Sequence, residues 1–363
     1  MKLTALLTRY LVSASLSAVV QVGLILGGLY LTFQLVRELG DLEGGYGVVQ
    51  MLAYLLRTFP TGLYDMFPFI VLIGCMIAAG RLASSHELVA MRASGFDRRH
   101  IASRIMLVVL GLSLFMMAMA EWWMPALEMN ARADREQARS GQLSASQGRE
   151  IWIRDANRMI QAELLVNDPA LGVRFANLQF YELNDRYRPV QLVHARFAVH
   201  QDRQWRLQEV QRMSMAATRA ANQVRLAKQE SLVLESSINP DVFLALSTRP
   251  RLMSMRDIRR ISGYLDQNEL DTSRYQEAFW RRLFYPLNIL AMVLAGLPLL
   301  FRADRQLAPA TSVFAGIAVG IAFFIVWRTV TGLSGLLPLP LWQFHLVPAV
   351  LFIGFGLWRL QKG

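Results

Sequence analysis

Six apolar stretches decide what this chain can become. Leu11 to Leu35 carries no charge between Arg9 and Arg37. A second begins near Phe59 and ends at Gly80, with Asp65 close to one end. A third runs from about Ile105 to Ala120 and is followed by Trp122 and Trp123. A long polar interval separates these from Leu283 to Phe301, Leu307 to Trp327 and about Leu341 to Trp358. A helix needs about 20 mainly apolar residues to cross a bilayer, and each stretch approaches that. The paired tryptophans fit an interfacial belt. The pattern predicts six transmembrane helices, three on each side of one large polar segment. Tyr30, Phe33 and Gln34 stand where a signal peptide needs small residues for cleavage, so the first stretch reads as a retained helix.

The net charge of +11 has an ordering. Lys2, Arg9, Arg81, Arg92, Arg98, Arg99, Arg104, Arg302, Arg305, Arg359 and Lys362 all fall in short segments on one side of the six-span arrangement. The first short loop on the other side carries Glu38, Asp41 and Glu43. The positive-inside rule then places both termini in the cytoplasm and the polar segment outside; long domains are exempt from the rule. No nucleic-acid partner is implied. The one cysteine, Cys75, lies inside the second stretch, so no disulfide forms within the chain.

The organisation follows as 1–126, an N-terminal membrane half; 127–252, an outer domain; and 253–363, a connector helix with the C-terminal membrane half. In the outer segment short alternating runs meet turn residues. Glu150–Arg154, Asp155-Ala-Asn157 and Arg158–Ala162 read as a hairpin. Leu178–Leu183 ends at Asn184-Asp185, and Val190–Val199, Trp205–Val210 and Val224–Ala227 continue the pattern. These predict an all-β domain, a sandwich or jellyroll, with one face open to a ligand, an edge open to another chain, or neither. Met255, Ile258, Ile261 and Leu265 have helical spacing and predict an amphipathic connector, lying at the bilayer surface or packed on the β domain.

Between the second and third stretches, Arg81–Gly95 is too polar to span. Ser84 and Glu87 have the spacing of a capping box, and Gly95 is a fitting stop. Leu88, Met91 and Ala93 offer a small apolar surface beside Glu87 and Arg92. A short capped helix in this loop suits docking to a soluble partner. Gly23 with Gly27, and Gly316 with Gly320, have the small-xxx-small spacing that lets helices approach closely; contact between subunits is one reading.

Motifs for chemistry are missing. The sequence has no G-x-x-x-x-G-K-[ST], no HExxH and no G-x-S-x-G, and His86, His100, His194, His200 and His345 show no metal-ligand spacing. Asp65 is the only acid close to a span interior. The chain is expected to be non-catalytic and to hold no cofactor or metal, with energy supplied by a partner.

Several motifs together resemble one family. Phe67-Pro68 opens the second stretch, Ser85-His-Glu-Leu-Val-Ala-Met-Arg-Ala-Ser-Gly-Phe96 fills the loop, and Glu121-Trp-Trp-Met-Pro125 leaves the third stretch. Gln147-Gly148 with Trp152, Arg274-Tyr275, Trp280 and Pro286-Leu287 follow in order. Over nearly the whole length the chain is similar to the LptF/LptG permeases of the lipopolysaccharide export ABC transporter, in the LptG branch. The resemblance implies an inner-membrane protein with six spans and an inserted periplasmic β-jellyroll. It implies pairing with LptF, an LptB ATPase dimer beneath that binds ATP and magnesium, and LptC and the LptA bridge beyond. Lipopolysaccharide would enter sideways and pass up through the β domains.

The resemblance also assigns residues. Glu87, Leu88, Met91 and Arg92 match coupling-helix positions in the ATPase groove. Gly316, Gly320 and Phe324 match the fifth span, which lines side gates with the first. Tyr30, Phe33, Phe67, Phe69, Phe323 and Phe324 suit an apolar lining, or equally packing between helices. The family often has lysines near the outer end of the first span for lipid phosphates. Here Gln34, Gly40 and Asp41 stand nearby, Thr61 replaces a basic residue of some relatives, and Arg37 is left for the phosphate role or for headgroup snorkelling. Two rival readings are a mechanotransmission protein that moves no lipid and a membrane enzyme acting on lipids. The first needs no lipid-sized cavity; the second needs a catalytic cluster.

Overall fold

The structure is a computed structural model that describes residues 2–42, 45–85, 87–93, 95, 97–140, 150–155, 158–168, 172–184, 189–201, 204–215, 224–235, 250–267, 271–300 and 309–362. Glu43, His86, Phe96, Gln147, Gly148, Ala156, Asn157, Asp185, Arg302, Arg305 and Leu307 of the expectations above lie outside the described residues. The chain divides into a helical unit (Met1–Leu42, Gly47–Asp134 and Gln276–Gly363) and a second unit (Glu43–Tyr46 and Arg135–Tyr275).

The helical unit contains α1 (Lys2–Leu39), α2 (Val48–Ser84), α3 (Glu87–Ala93), α4 (Arg98–Trp122) and the start of α5 (Met124–Ser140). After the second unit, α7 (Ser273–Leu283), α8 (Tyr285–Leu300), α9 (Pro309–Gly332) and α10 (Leu341–Lys362) complete it. Among the described residues five helices are long and apolar enough to span a membrane, and the bent pair α7–α8 passes the same test when its two helices are taken together. The chain is therefore a multi-pass membrane protein.

Two spans differ from expectation for identifiable reasons. The second begins at Val48 rather than near Phe59, because the helix runs on through Pro60 and Pro68. Each proline forfeits one backbone hydrogen bond, which packing by neighbouring helices makes tolerable in a membrane. At 37 residues α2 is about 55 Å long, well beyond a hydrocarbon core of about 30 Å. The fourth span is not straight: α7 and α8 meet at Phe284 with a 52° bend. Pro286 cannot donate to the carbonyl of Arg282 and disfavours helix at the residue before it, so the chain breaks there.

Helix α2 is the hub of this unit. Val71, Leu72, Cys75 and Met76 on it are fully buried. Its Gly74 lets α1 approach until a Cβ there would lie 2.6 Å from the Val19 Cα. Its Gly62 receives the Tyr30 ring, 2.1 Å from where a Cβ would be. Gly23 and Gly27 of α1 face Ile70 and Phe59 of α2. Gly316 and Gly320 of α9 also face α2, at Met76 and Ile73 and at Phe69 and Leu72. Both glycine pairs thus make helix contacts within the chain.

The second unit carries β1 (Glu150–Asp155), β2 (Arg158–Asp168), β3 (Gly172–Leu183), β4 (Pro189–Gln201), β5 (Gln204–Met215) and β6 (Val224–Glu235). They form one antiparallel sheet in sequential order, an extramembrane meander. The expected first hairpin is present, with Ile153 opposite Ile160. A crease crosses the sheet. On β3 the inward residues change from Phe175 to Leu178 and Phe180; on β4 from Val193 and Ala195 to Ala198; on β5 from Trp205 and Leu207 to Val210. Strict alternation would send half of each strand's apolar residues to the wrong face. Asn177 and Glu209 take left-handed backbone at the switch (φ 48° and 52°), and β3 has one residue extra against β2 there. Arg196 and Glu209 pair at 3.1 Å across the crease. One cluster is kept on one side, with Phe175 and Trp205 ring centroids 5.1 Å apart.

Helix α6 (Met255–Gln267) buries Ile258, Ile261 and Leu265, and its Tyr264 packs against the sheet's cluster. Ser254 Oγ accepts from the Asp257 backbone N–H at 3.1 Å and donates to the Asp257 carboxylate at 2.6 Å, a reciprocal cap.

Candidate functional site

The loop between the second and third spans folds as predicted into a short helix, α3, but its start differs. Ser84 is the last residue of α2, and its hydroxyl donates back to the Arg81 carbonyl at 3.0 Å. Ser85 does the same at 2.9 Å. Ser84 is still part of α2, and α3 begins at Glu87 itself rather than directly after Ser84, so the Ser84–Glu87 capping box is not formed. Glu87 instead lies beside the Tyr10 side chain of α1. Gly95, in left-handed backbone at φ 90°, follows the helix as expected. Asp97 then accepts from the Arg98 backbone N–H at 2.7 Å and starts α4.

Met91 is only 5% exposed and belongs to the core cluster of the helical unit, together with Leu11, Leu82 and Ile101. It anchors α3 from below instead of facing outward. Glu87 is half-buried. Leu88 and Arg92 lie on α3, with side chains outside the described part.

The proposed lining residues of the first, second and fifth spans fall into three groups. Phe67 and Phe323 are buried in the core, the latter edge-on to Phe352 at 4.9 Å. Tyr30 and Phe69 are half-buried; Tyr30 sits on Gly62 and accepts from Gln34 Nε2 at 2.5 Å. Phe33 and Phe324 are exposed, at 65% and 50%. Phe324 lies 6.5 Å from Phe69 and 6.2 Å from Trp327, ring centre to ring centre. Exposed Leu24, Ile25, Leu29 and Val36 extend the α1 face, and Phe314, Ile321 and Ile325 extend the α9 face. Arg37 is exposed in the last turn of α1. Gly316 and Gly320 are buried against α2, beneath the α9 face.

Asp65 is exposed, whereas another acid is enclosed. Glu121 pairs with Arg282 at 3.6 Å, with side chains 16% and 8% exposed. Glu121 follows one apolar run and Arg282 precedes another. Tyr64 and Tyr285 stack beside them at 4.2 Å. Among the described residues no group of three or more His, Cys, Asp or Glu is placed to hold a metal.

The chain is 28% identical to the "Lipopolysaccharide export system permease protein LptG" of Haemophilus influenzae over 359 residues, 98% of each chain. It is 28% identical over 324 residues, 88% of each chain, to the protein of the same description from Escherichia coli K12. The family described as "Lipopolysaccharide export system permease LptF/LptG" matches residues 9–362, and with that span the chain belongs to the LptF/LptG family.

Proposed function

We propose that this chain is the non-catalytic permease subunit of an ATP-driven lipopolysaccharide exporter in the bacterial inner membrane. The observation that carries the reading is the family match over residues 9–362, which takes in every span, the loop helix and the inserted sheet. In this reading 1–126 and 253–363 are the two membrane halves, both termini are cytoplasmic, and 127–252 is a periplasmic β-jellyroll. The creased meander supports that shape, since a sheet that bends around its own cluster is part-way to closure. LptF is the paired permease, an LptB dimer supplies ATP hydrolysis with its own magnesium, and LptC leads to LptA.

Lipopolysaccharide is met by the exposed faces of α1 and α9. Phe33 and Phe324 offer apolar wall to its acyl chains, Tyr30 and Phe69 stand behind them, and Arg37 offers a fork for phosphate. Phe67 and Phe323 act as packing beneath that wall. Glu87, Leu88 and Arg92 form the ATPase contact, and Met91 fixes α3 to the spans so that displacement of the helix is felt by them. An ATPase drives the spans only if its two states grip α3 differently.

The test is photo-crosslinking in cells from positions 33, 37 and 324, with the ATPase present. ATP-dependent lipopolysaccharide adducts at 33 and 324 support lateral passage. An intact complex without adducts favours a mechanotransmission protein that moves no lipid. Glu87→Ala is expected to uncouple hydrolysis from lipid release in proteoliposomes; unchanged assembly, hydrolysis and release would remove Glu87 from the mechanism.

A further inference from the structure

Two helices carry the chain between its units. α5 leaves the helical unit, whose limit falls at Asp134, and α7 brings the chain back at Gln276. Each hangs from a break. α4 gives way to α5 at Trp123, and α7 gives way to α8 at Phe284. Glu121 stands two positions before the first break and Arg282 two positions before the second. These two residues are paired at 3.6 Å and largely shut from solvent.

The surroundings bind the pair into the membrane helices. Tyr64 of α2 lies beside Arg282. Tyr285, the first residue of α8, donates its hydroxyl to the Tyr64 carbonyl at 2.9 Å and lays its ring on the Tyr64 ring at 4.2 Å, within 12° of parallel. Further out on α5, Asp134 forms an ion pair with Arg57 of α2. Both connecting helices are therefore tied to the hub helix α2, and the Glu121–Arg282 pair ties the inner end of α7 to the last turn of α4, from which α5 continues.

Holding opposite charges in such a place opposes folding through desolvation, and a well-packed apolar pair would be as stable or more so. An enclosed ion pair kept at the ends of two spans accordingly points to a role beyond stability. We propose that the Glu121–Arg282 pair is the joint that makes the end of α4 and the helix α7 move as one when the spans rearrange, so that motion of the membrane helices reaches both chain connections to the β unit together. The two are positioning residues, and the inference rests on the transport reading above. Without the joint, the end of α4 and the inner end of α7 shift independently, and the two connections to the β unit are no longer moved together.

The experiment uses the full transporter with its ATPase in proteoliposomes loaded with lipopolysaccharide, and a photoreactive residue at Leu232, half-buried against the β cluster. Adduct at that residue per ATP hydrolysed is the readout. Glu121→Gln and Arg282→Gln are each expected to keep ATP hydrolysis while adduct per ATP falls about tenfold, mid-range for a coupling free energy. The swapped pair, Glu121→Arg with Arg282→Glu, is expected to recover most of it. Wild-type adduct yield in either single variant would overturn the joint. If the singles fail to assemble, the apolar pair Glu121→Leu with Arg282→Met decides: normal transfer overturns the proposal, and assembly with lost transfer supports it. Absence of ATP-dependent adduct in the wild-type complex would instead strike at the transport reading itself.

Discussion

The helical unit and the β unit solve opposite problems. In water, apolar side chains gather because leaving the solvent is favourable, and the sheet needs only enough of them on one side. Its cluster is small, built around Phe175 and Trp205, and the crease exists to keep that side continuous. Between membrane helices that driving force is missing, since lipid tails are as apolar as leucine. What remains is closeness, and the helical unit obtains it by omission of side chains. Gly62 and Gly74 on α2, and Gly316 and Gly320 on α9, let backbone or ring lie where a Cβ would stand. One unit is held by what it buries, the other by what it leaves out.

The contrast can be broken most sharply at Trp205, which is 1% exposed. Trp205→Ala is expected to cost about 3–5 kcal/mol. Hydrogen exchange should then quicken along β3 to β5 while amides of α2 stay protected; equal loosening of both would show that the units do not stand apart. A smaller effect is expected at the other kind of contact. Gly74→Ala places a methyl group 2.6 Å from the Val19 Cα and should cost about 1–3 kcal/mol, seen as a lower melting temperature in detergent. In an isolated helix the same change would gain about 1 kcal/mol, so a raised melting temperature would sink the close-approach account.

The smallest expected effect lies outside both cores. Asp271 accepts hydrogen bonds from Ser273 at the start of α7, which hold its carboxyl below the usual carboxylate range. A depressed folded value means its contribution is present above the unfolded value, about pH 4, and is lost as pH falls through the folded one. Asp271→Asn should therefore cost no more than about 0.5 kcal/mol at neutral pH and almost nothing in strong acid. A pH-independent loss in a series of denaturation curves would assign the effect to something other than the charge.

Much of this architecture was legible. Mean hydropathy along the chain marks the spans because a bilayer demands length and apolarity together, and alternation with turn residues marks the strands. The stripe Ile258, Ile261 and Leu265 also reads directly as a buried face. Other features depend on partners distant in sequence. Ser84 fits a cap by spacing, yet α2 runs on to include it. Met91 looks like docking surface until the core beneath it is assembled. The glycine pairs announce a close contact without naming α2 as the other side. Glu121 and Arg282 are 161 positions apart, and each taken singly is an unremarkable charge at the end of a span.

The crease also sets terms for any chain that adds itself to the sheet. At β6 the rungs run Gln208 to Ser231 and Val210 to Gln229, so the phase shift that flips β3, β4 and β5 reaches the edge at Glu230. A visiting strand with uninterrupted alternation matches one half of that edge or the other, but not both. The edge thus discriminates by rhythm: a full-length guest needs its own irregular residue opposite Glu230, and a regular one is limited to a short run of rungs.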